Sequence, residues 1–219
     1  MFDLSPLSIS LRAACIATFI VFVLGTLAAR LVLGLKGKLA SFVDTVCTLP
    51  LVLPPTVLGF FLLVLFGKHG PLGALLSQFG QSIIFTWYAT VLAAVVVSFP
   101  LMYRSARGAL EQVNSEHVWA ARTLGMHEGS VFLHIMLPEA WPGIMAGITL
   151  SFTRSLGEFG ATLMIAGNIP GKTQTIPMAI YFATSSGDMR TAWIWVGLMM
   201  LLSFLSLGFS SYLAARREQ

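Results

Sequence analysis

Long apolar stretches that carry almost no charge dominate this chain, and each is long enough to cross a hydrocarbon layer of about 30 Å as a helix. They run approximately from Ala13 to Leu35, Thr45 to Phe66, Ser82 to Tyr103, Ala140 to Ala166 and Thr191 to Ala215. Their apolar residues are continuous, not alternating, which selects helices over the strands of a barrel. A soluble fold is excluded by what remains for a surface: 56% of the 219 residues are hydrophobic and 10% are charged, too few polar side chains to cover a globule. The expected fold is all-α, a polytopic helical membrane protein of about five transmembrane helices forming one domain over 1–219. Asp3, Pro6 and Arg12 precede the first span, with no small-residue cleavage site behind a short apolar core. A removable signal peptide is therefore disfavoured, and the first span is expected to stay as an anchor.

Cations set the orientation, because Lys and Arg in short loops are retained on the cytoplasmic side. With the N-terminus outside and the C-terminus inside, Arg30, Lys36, Lys38, Arg104, Arg107, Arg122, Arg216 and Arg217 are cytoplasmic, against Arg12, Lys68, Lys172 and Arg190 outside. Trp87, Tyr88, Trp141, Trp193, Trp195 and Tyr212 fall near the span ends, where amphipathic rings sit at the interface with membrane lipid. The net charge of +4 is mostly this topology signal; no basic cluster of the kind that binds nucleic acid is present. Cys15 and Cys47 fall near opposite ends of their spans, beyond disulfide reach, and read as apolar filler. No metal site with recognisable Cys or His spacing is present, and no nucleophile and base lie at usable spacing in the spans.

The second span contains Leu49-Pro-Leu-Val-Leu-Pro-Pro55-Thr-Val-Leu-Gly59, in which Pro50, Pro54 and Pro55 each lack a backbone donor, so an undistorted helix cannot run through it. Either a kink satisfied by neighbouring helices or a bend lining a translocation path is consistent with these residues. The stretch from Phe66 to Gln81 reads as an external loop with a short amphipathic turn from Leu72 to Phe79, or a re-entrant segment.

Between the third and fourth spans lies a charged insert, Arg104 to Glu139. Asn114 or Ser115 can cap a helix with Glu116 in its first turn, Ala120 and Ala121 as strong helix formers and Gly125 as its stop. A second segment, Ser130 to Met136, is expected to end at Pro138, and the chain to re-enter the membrane at Trp141. The pair makes a compact cytoplasmic protrusion. His117, His127 and His134 all fall in it and read as solvated or interfacial.

Here the residues resemble a known family. Ala120-Ala121, Gly125 and Ile135-x-Leu137-Pro138 match in spacing the cytoplasmic EAA loop of ABC-importer permeases, whose first helix docks into a groove of the nucleotide-binding subunit. Trp119 stands where that motif usually has Glu; Glu116 lies one turn back on the same helix. The run Ser151-Phe-Thr-Arg154-Ser-Leu-Gly-Glu158-Phe-Gly-Ala-Thr162, then Asn168-Ile-Pro-Gly-Lys-Thr-Gln-Thr-Ile-Pro177, together with the proline-rich stretch of the second span, is similar to the molybdate branch of the molybdate/sulfate group.

The resemblance implies a bacterial inner-membrane permease that forms a homodimer and is driven by a separate ABC ATPase subunit. No cofactor would be bound by this chain, and ATP would be used by the partner. A periplasmic or lipid-anchored binding protein would deliver molybdate, with sulfate or tungstate as alternative oxyanions, and the element from Glu111 to Pro138 would convert ATPase motion into alternating access. Trp119, Ala120, Ala121, Gly125, Ile135, Leu137 and Pro138 are the implied coupling residues. A secondary transporter using Glu158 as proton carrier is the rival class; it would need no docking loop.

Arg154 and Glu158 are four apart inside an apolar span, where each alone would cost at least about 2.5 kcal/mol. They are expected to pair on one helical face, as a structural ion pair or as a transport-path element, with Pro54, Pro55, Ser155 and Thr162 as the other path or packing candidates. Gly157, Gly160 and Ala161 would permit close helix approach. The segment Ala166-Gly-Asn-Ile-Pro-Gly-Lys172-Thr173 mimics a phosphate-binding loop, but it follows an apolar helix, faces the exterior and carries Pro170 where backbone donors are needed. The loop from Gly167 to Arg190 is expected either to receive the binding protein, with Lys172 and Arg190 meeting acidic groups, or to be a plain connection.

Overall fold

A computed structural model describes residues 3–215. Arg216 and Arg217, counted above among the cytoplasmic cations, lie outside the described residues, as does the side chain of Tyr212. The described chain is a succession of helices: α1 Ser5–Leu33, α2 Gly37–Val52, α3 Pro55–Phe66, α4 Pro71–Gln78, α5 Trp87–Glu111, α6 Ser115–Thr123, α7 Glu128–Val131, a π turn Phe132–Met136, α8 Leu137–Leu156, α9 Gly160–Ala166, α10 Ile176–Ser185 and α11 Met189–Ala215.

Helix α5 is the axis of the packing, with α1 and α8 against it along most of its length and α2, α3 and α9 completing its surroundings. Toward one end, Val21, Ala29 and Val32 of α1 meet Met102, Tyr103, Ala106 and Leu110 of α5 and Ala140 and Ile144 of α8. Toward the other, Leu58 and Leu62 of α3 meet Ala89, Ala93 and Val97 of α5 and Ala161, Ile165 and Ala166 of α9. Alanine is abundant in both seams because lipid supplies no hydrophobic drive between helices; close backbone approach and dispersion must hold them.

Among the described residues, α1, α5, the continuous run Glu128–Leu156 and Met189–Gly208 are each long and apolar enough to cross a membrane, and α2 with α3 makes a fifth candidate bent by 111°. The expected spans are found with altered limits, and the differences have local causes. The second is two helices: Pro50 is tolerated inside the last turn of α2, whereas Leu53 and Pro54 are extended and Pro55 starts α3 in the first turn, where its missing donor costs nothing. The break expected at Pro138 is absent. Leu137 N–H donates to the Phe132 carbonyl, one residue wider than an α turn, and this relaxes the crowding a proline ring causes in the preceding turn. The helix therefore runs unbroken through Pro138 into the membrane segment.

The fourth span, expected to continue to Ala166, instead ends at Leu156 and restarts at Gly160. Arg154 and Glu158 consequently do not share one helical face; they pair across the break. The Gly167 to Arg190 segment, expected as loop, contains α10, whose Ile176 and Ala179 pack on Trp195 of α11 and whose first backbone N–H, that of Ile176, donates to Ser10 Oγ of α1 at 2.8 Å. Trp195 is thus buried in packing, while Trp193 is 72% exposed. Both cysteines are free thiols; Cys47 packs against the α1/α5/α8 seam and Cys15 is exposed.

Candidate functional site

The insert folds as a small platform built on the end of α8. Asn114 caps α6, its side chain accepting from the Glu116 N–H at 2.9 Å. At the other end Gly125 has φ +78°, Gly125 N–H donates to the Arg122 carbonyl at 3.0 Å and Met126 N–H to the Ala121 carbonyl at 3.1 Å. This paired arrangement closes the helix and requires a left-handed residue, which glycine supplies without a Cβ penalty. Val118 and Ala121 turn inward onto Val131, Met126, Ile135 and Met136.

Elsewhere α6 is exposed to solvent. Trp119 of α6 is 68% exposed and Leu124, the residue immediately after the helix, 83%; large apolar side chains left open in this way are the pattern of a surface that meets another protein. Of the seven coupling candidates, Ala120, Ala121, Ile135 and Pro138 line one shallow groove together with Leu124 and Met126. Trp119 lies on the exposed face of α6, Leu137 is half-buried at the start of α8, and Gly125 shapes the turn. Leu124 was not singled out in the sequence, where its only signal is an apolar residue immediately before the helix-stopping glycine.

Two carboxylates fasten α6 to the membrane helices. Glu139, in the first turn of α8, accepts from the Asn114 N–H at 2.9 Å and meets His117 Nδ1 at 3.0 Å. Glu128 takes a two-pronged contact from Arg122, 2.7 Å from Nε and 3.0 Å from Nη2, and Arg30 of α1 reaches the same carboxylate at 3.2 Å. The hydrogen bond to Glu128 holds the Arg122 guanidinium above its ordinary pKa. His127 caps α7 through Nδ1, and His134 Nδ1 meets the Ser130 carbonyl at 3.0 Å.

A second group of candidates gathers where two helices break. Glu158 is 2% exposed; one of its oxygens takes the Arg154 guanidinium at 3.0 Å and the other accepts the Ala161 N–H at 2.8 Å, so it neutralises a cation and caps α9 at once. The restart after this break packs on the restart after the other. A Cβ on Gly160 would stand 3.2 Å from Pro55 Cβ, and one on Gly59 would stand 2.9 Å from Ala161 Cα, so α3 and α9 touch nearly backbone to backbone. Thr162 of α9 and Ser155 are buried, the Ser155 hydroxyl without a hydrogen-bond partner among the described residues, while Pro54 is exposed. The residues of the junction, far apart along the chain, meet only once it is folded.

Toward the C-terminal end of α5, Tyr103 donates to Asp44 of α2 at 2.8 Å, and Arg107 pairs with both Asp44 and Glu111. This network was not anticipated, because its members lie on different helices. The phosphate-loop mimic is closed on itself: the Thr173 hydroxyl donates to the Gly167 carbonyl at 2.8 Å and accepts the Ile169 N–H at 3.0 Å, fully buried, so its hydroxyl is already engaged.

Comparison with known proteins agrees with this architecture. The YvgM protein of Bacillus subtilis strain 168 is 47% identical over 208 residues, covering 94% of this chain and 91% of its own. The molybdenum transport system permease protein ModB of Escherichia coli K12 is 43% identical over 209 residues, with the same coverage of 94% and 91%. Among solved structures, the MetNI methionine ABC transporter in an inward-facing conformation superposes with a TM-score of 0.76 at 17% identity, covering 96% of this chain and 94% of that one. A bacterial transporter that imports the acidic polysaccharide alginate superposes at 0.74 and 15% identity, covering 97% and 79%. The model of the binding-protein-dependent transport system inner membrane component family matches residues 21–219, and the chain belongs to that family.

Proposed function

We propose that this chain is the membrane permease subunit of an ATP-driven importer of molybdate. The observation that carries the reading is the 43% identity over 209 residues to a molybdenum transport permease, joined to a helix-capped platform that exposes Trp119 and Leu124 where a second protein can seat. A separate ABC ATPase would dock on α6, two copies of this chain would enclose a central path, and a binding protein would deliver the oxyanion at the opposite face. The chain performs no bond chemistry in this scheme; ATP is consumed by the partner. The meeting of Arg30 and Arg122 on Glu128 puts both cations at one end of the molecule, which supports a cytoplasmic platform and an external N-terminus. The Arg154–Glu158 pair and its junction with Pro55 serve as a fixed element beside the path: a cation satisfied by a buried carboxylate has little charge left to trap an oxyanion.

The test is ATP hydrolysis by proteoliposomes holding this chain with its candidate ATPase, with binding protein loaded with molybdate or with sulfate. Stimulation by the molybdate-loaded form alone is the expected result. Stimulation by sulfate alone would transfer the chain to the other oxyanion, and no stimulation by either would refute ATP-coupled import.

A further inference from the structure

The platform must hand its movement to the membrane helices, and apolar contacts alone do this poorly because they have no preferred direction. Polar ties with fixed geometry can. The N-terminal end of α6 is tied to α8 through Glu139. The C-terminal end also reaches α1: Arg122, in the last turn of α6, grips Glu128 with two nitrogens, and Glu128 also holds Arg30 in the last turn of α1, 98 positions away in sequence. A forked guanidinium on a carboxylate restricts orientation as well as distance. The Arg30 guanidinium is held from a second side, its carbon 5.8 Å from the centre of the Phe132 ring in the π turn. Among the described residues this is the ion pair that joins α1 to the platform. Both ends of α6 are thus tied to the helical run Glu128–Leu156, and at Glu128 that run and α6 are joined to the end of α1, so displacement of α6 is passed to α1 through this carboxylate.

We propose that Glu128 is a positioning residue for energy coupling: the Arg122–Glu128–Arg30 bridge imposes displacement of α6 on α1. This rests on the reading that an ATPase docks on α6. The bridge is half-exposed, with side chains 27% exposed at Arg30 and 53% at Glu128, so its contribution to folding is small. Neither Glu128 nor Arg30 lines the groove beside α6, so docking does not need them.

The experiment uses the assembled transporter in proteoliposomes with molybdate-loaded binding protein, and measures copurified ATPase, ATP hydrolysis and molybdate imported per ATP. Glu128→Gln and Arg30→Gln are expected to retain ATPase and its basal hydrolysis while import per ATP falls about fivefold, the lower end of ordinary coupling between sites. Arg30→Lys, which keeps the charge, restores part of the ratio, and the double variant is no worse than either single one. An unchanged ratio in Glu128→Gln overturns the bridge while leaving the docking reading intact. Loss of copurified ATPase in both Gln variants also overturns it, assigning the bridge to folding of the loop. A wild type whose uptake does not require ATP sinks the docking reading and the bridge together.

Discussion

The turn at Gly125 offers the most direct check on how the platform is built. Its φ of +78° puts it in the left-handed region, and a Cβ there would meet nothing within 4 Å, so substitution carries a conformational cost and no steric one. For alanine that cost is about 1–2 kcal/mol. The helix it closes has nine residues, too few to persist without its end contacts, so the loss falls on local opening of the turn. A change of one to two kcal/mol raises the opened population about 5- to 30-fold. The observable is amide exchange by mass spectrometry over peptides covering residues 120–127, where Gly125 N–H and Met126 N–H are bonded to the Arg122 and Ala121 carbonyls. Gly125→Ala is expected to accelerate exchange by that factor, Gly125→Val by at least as much, and Gly125→Asn by less, since asparagine visits the left-handed region more readily. Copurified ATPase should fall far less than exchange rises, because docking follows the closed fraction, which stays dominant. Wild-type exchange in Gly125→Ala, or equal acceleration by Ala and Asn, would refute the argument that this backbone conformation holds α6 in place.

Three further outcomes follow from the geometry. Glu158→Ala removes the cap on Ala161 and strands Arg154, and should cost about 3 kcal/mol of unfolding stability in detergent, whereas Glu158→Gln keeps an acceptor and should cost about 1 kcal/mol; equal losses would show that the cap contributes nothing. Gly59→Ala drives a Cβ against Met164 Cβ at 2.7 Å and Ala161 Cα at 2.9 Å and should lower stability by about 1–3 kcal/mol, while Gly108→Ala, which meets nothing within 4 Å, should lower it not at all; a thermal-shift series separates them. Asp188, ahead of α11, is held below the usual carboxylate range by hydrogen bonds from the Thr191 hydroxyl and backbone N–H. Its folded value being depressed, its stabilisation is present above the ordinary carboxylate range and lost as pH falls through the depressed folded value, so exchange protection in the first turn of α11 should decline in that acid window in wild type but not in Asp188→Asn.

What the chain announces along its length and what it conceals divide on one physical line. A span is announced by unbroken apolar composition, a cap by Asn114 before Glu116, and a stop by Gly125 after two alanines, since each is decided within a few residues. The interruptions were only half visible. Pro54-Pro55 declared that a helix must end but not that the chain would turn by 111°, because that angle is set by where α3 finds a partner. The break at Gly157 was missed because Arg154 and Glu158, four apart, satisfy one another about as well across a helix end as along a helix face. Pro138 misled in the opposite direction, its cost absorbed by a π turn that no local pattern specifies. The ties between elements, Asp44 to Tyr103 and Arg107 or Arg30 to Glu128, join residues 59 to 98 positions apart and leave no trace in the chain beyond their charge. Both broken spans restart at small or ring-closed residues, Pro55 and Gly160, and it is these restarts that touch. The interruptions are therefore coupled features of one junction: each helix ends where it must for the other to approach, and neither break has a complete explanation without its partner.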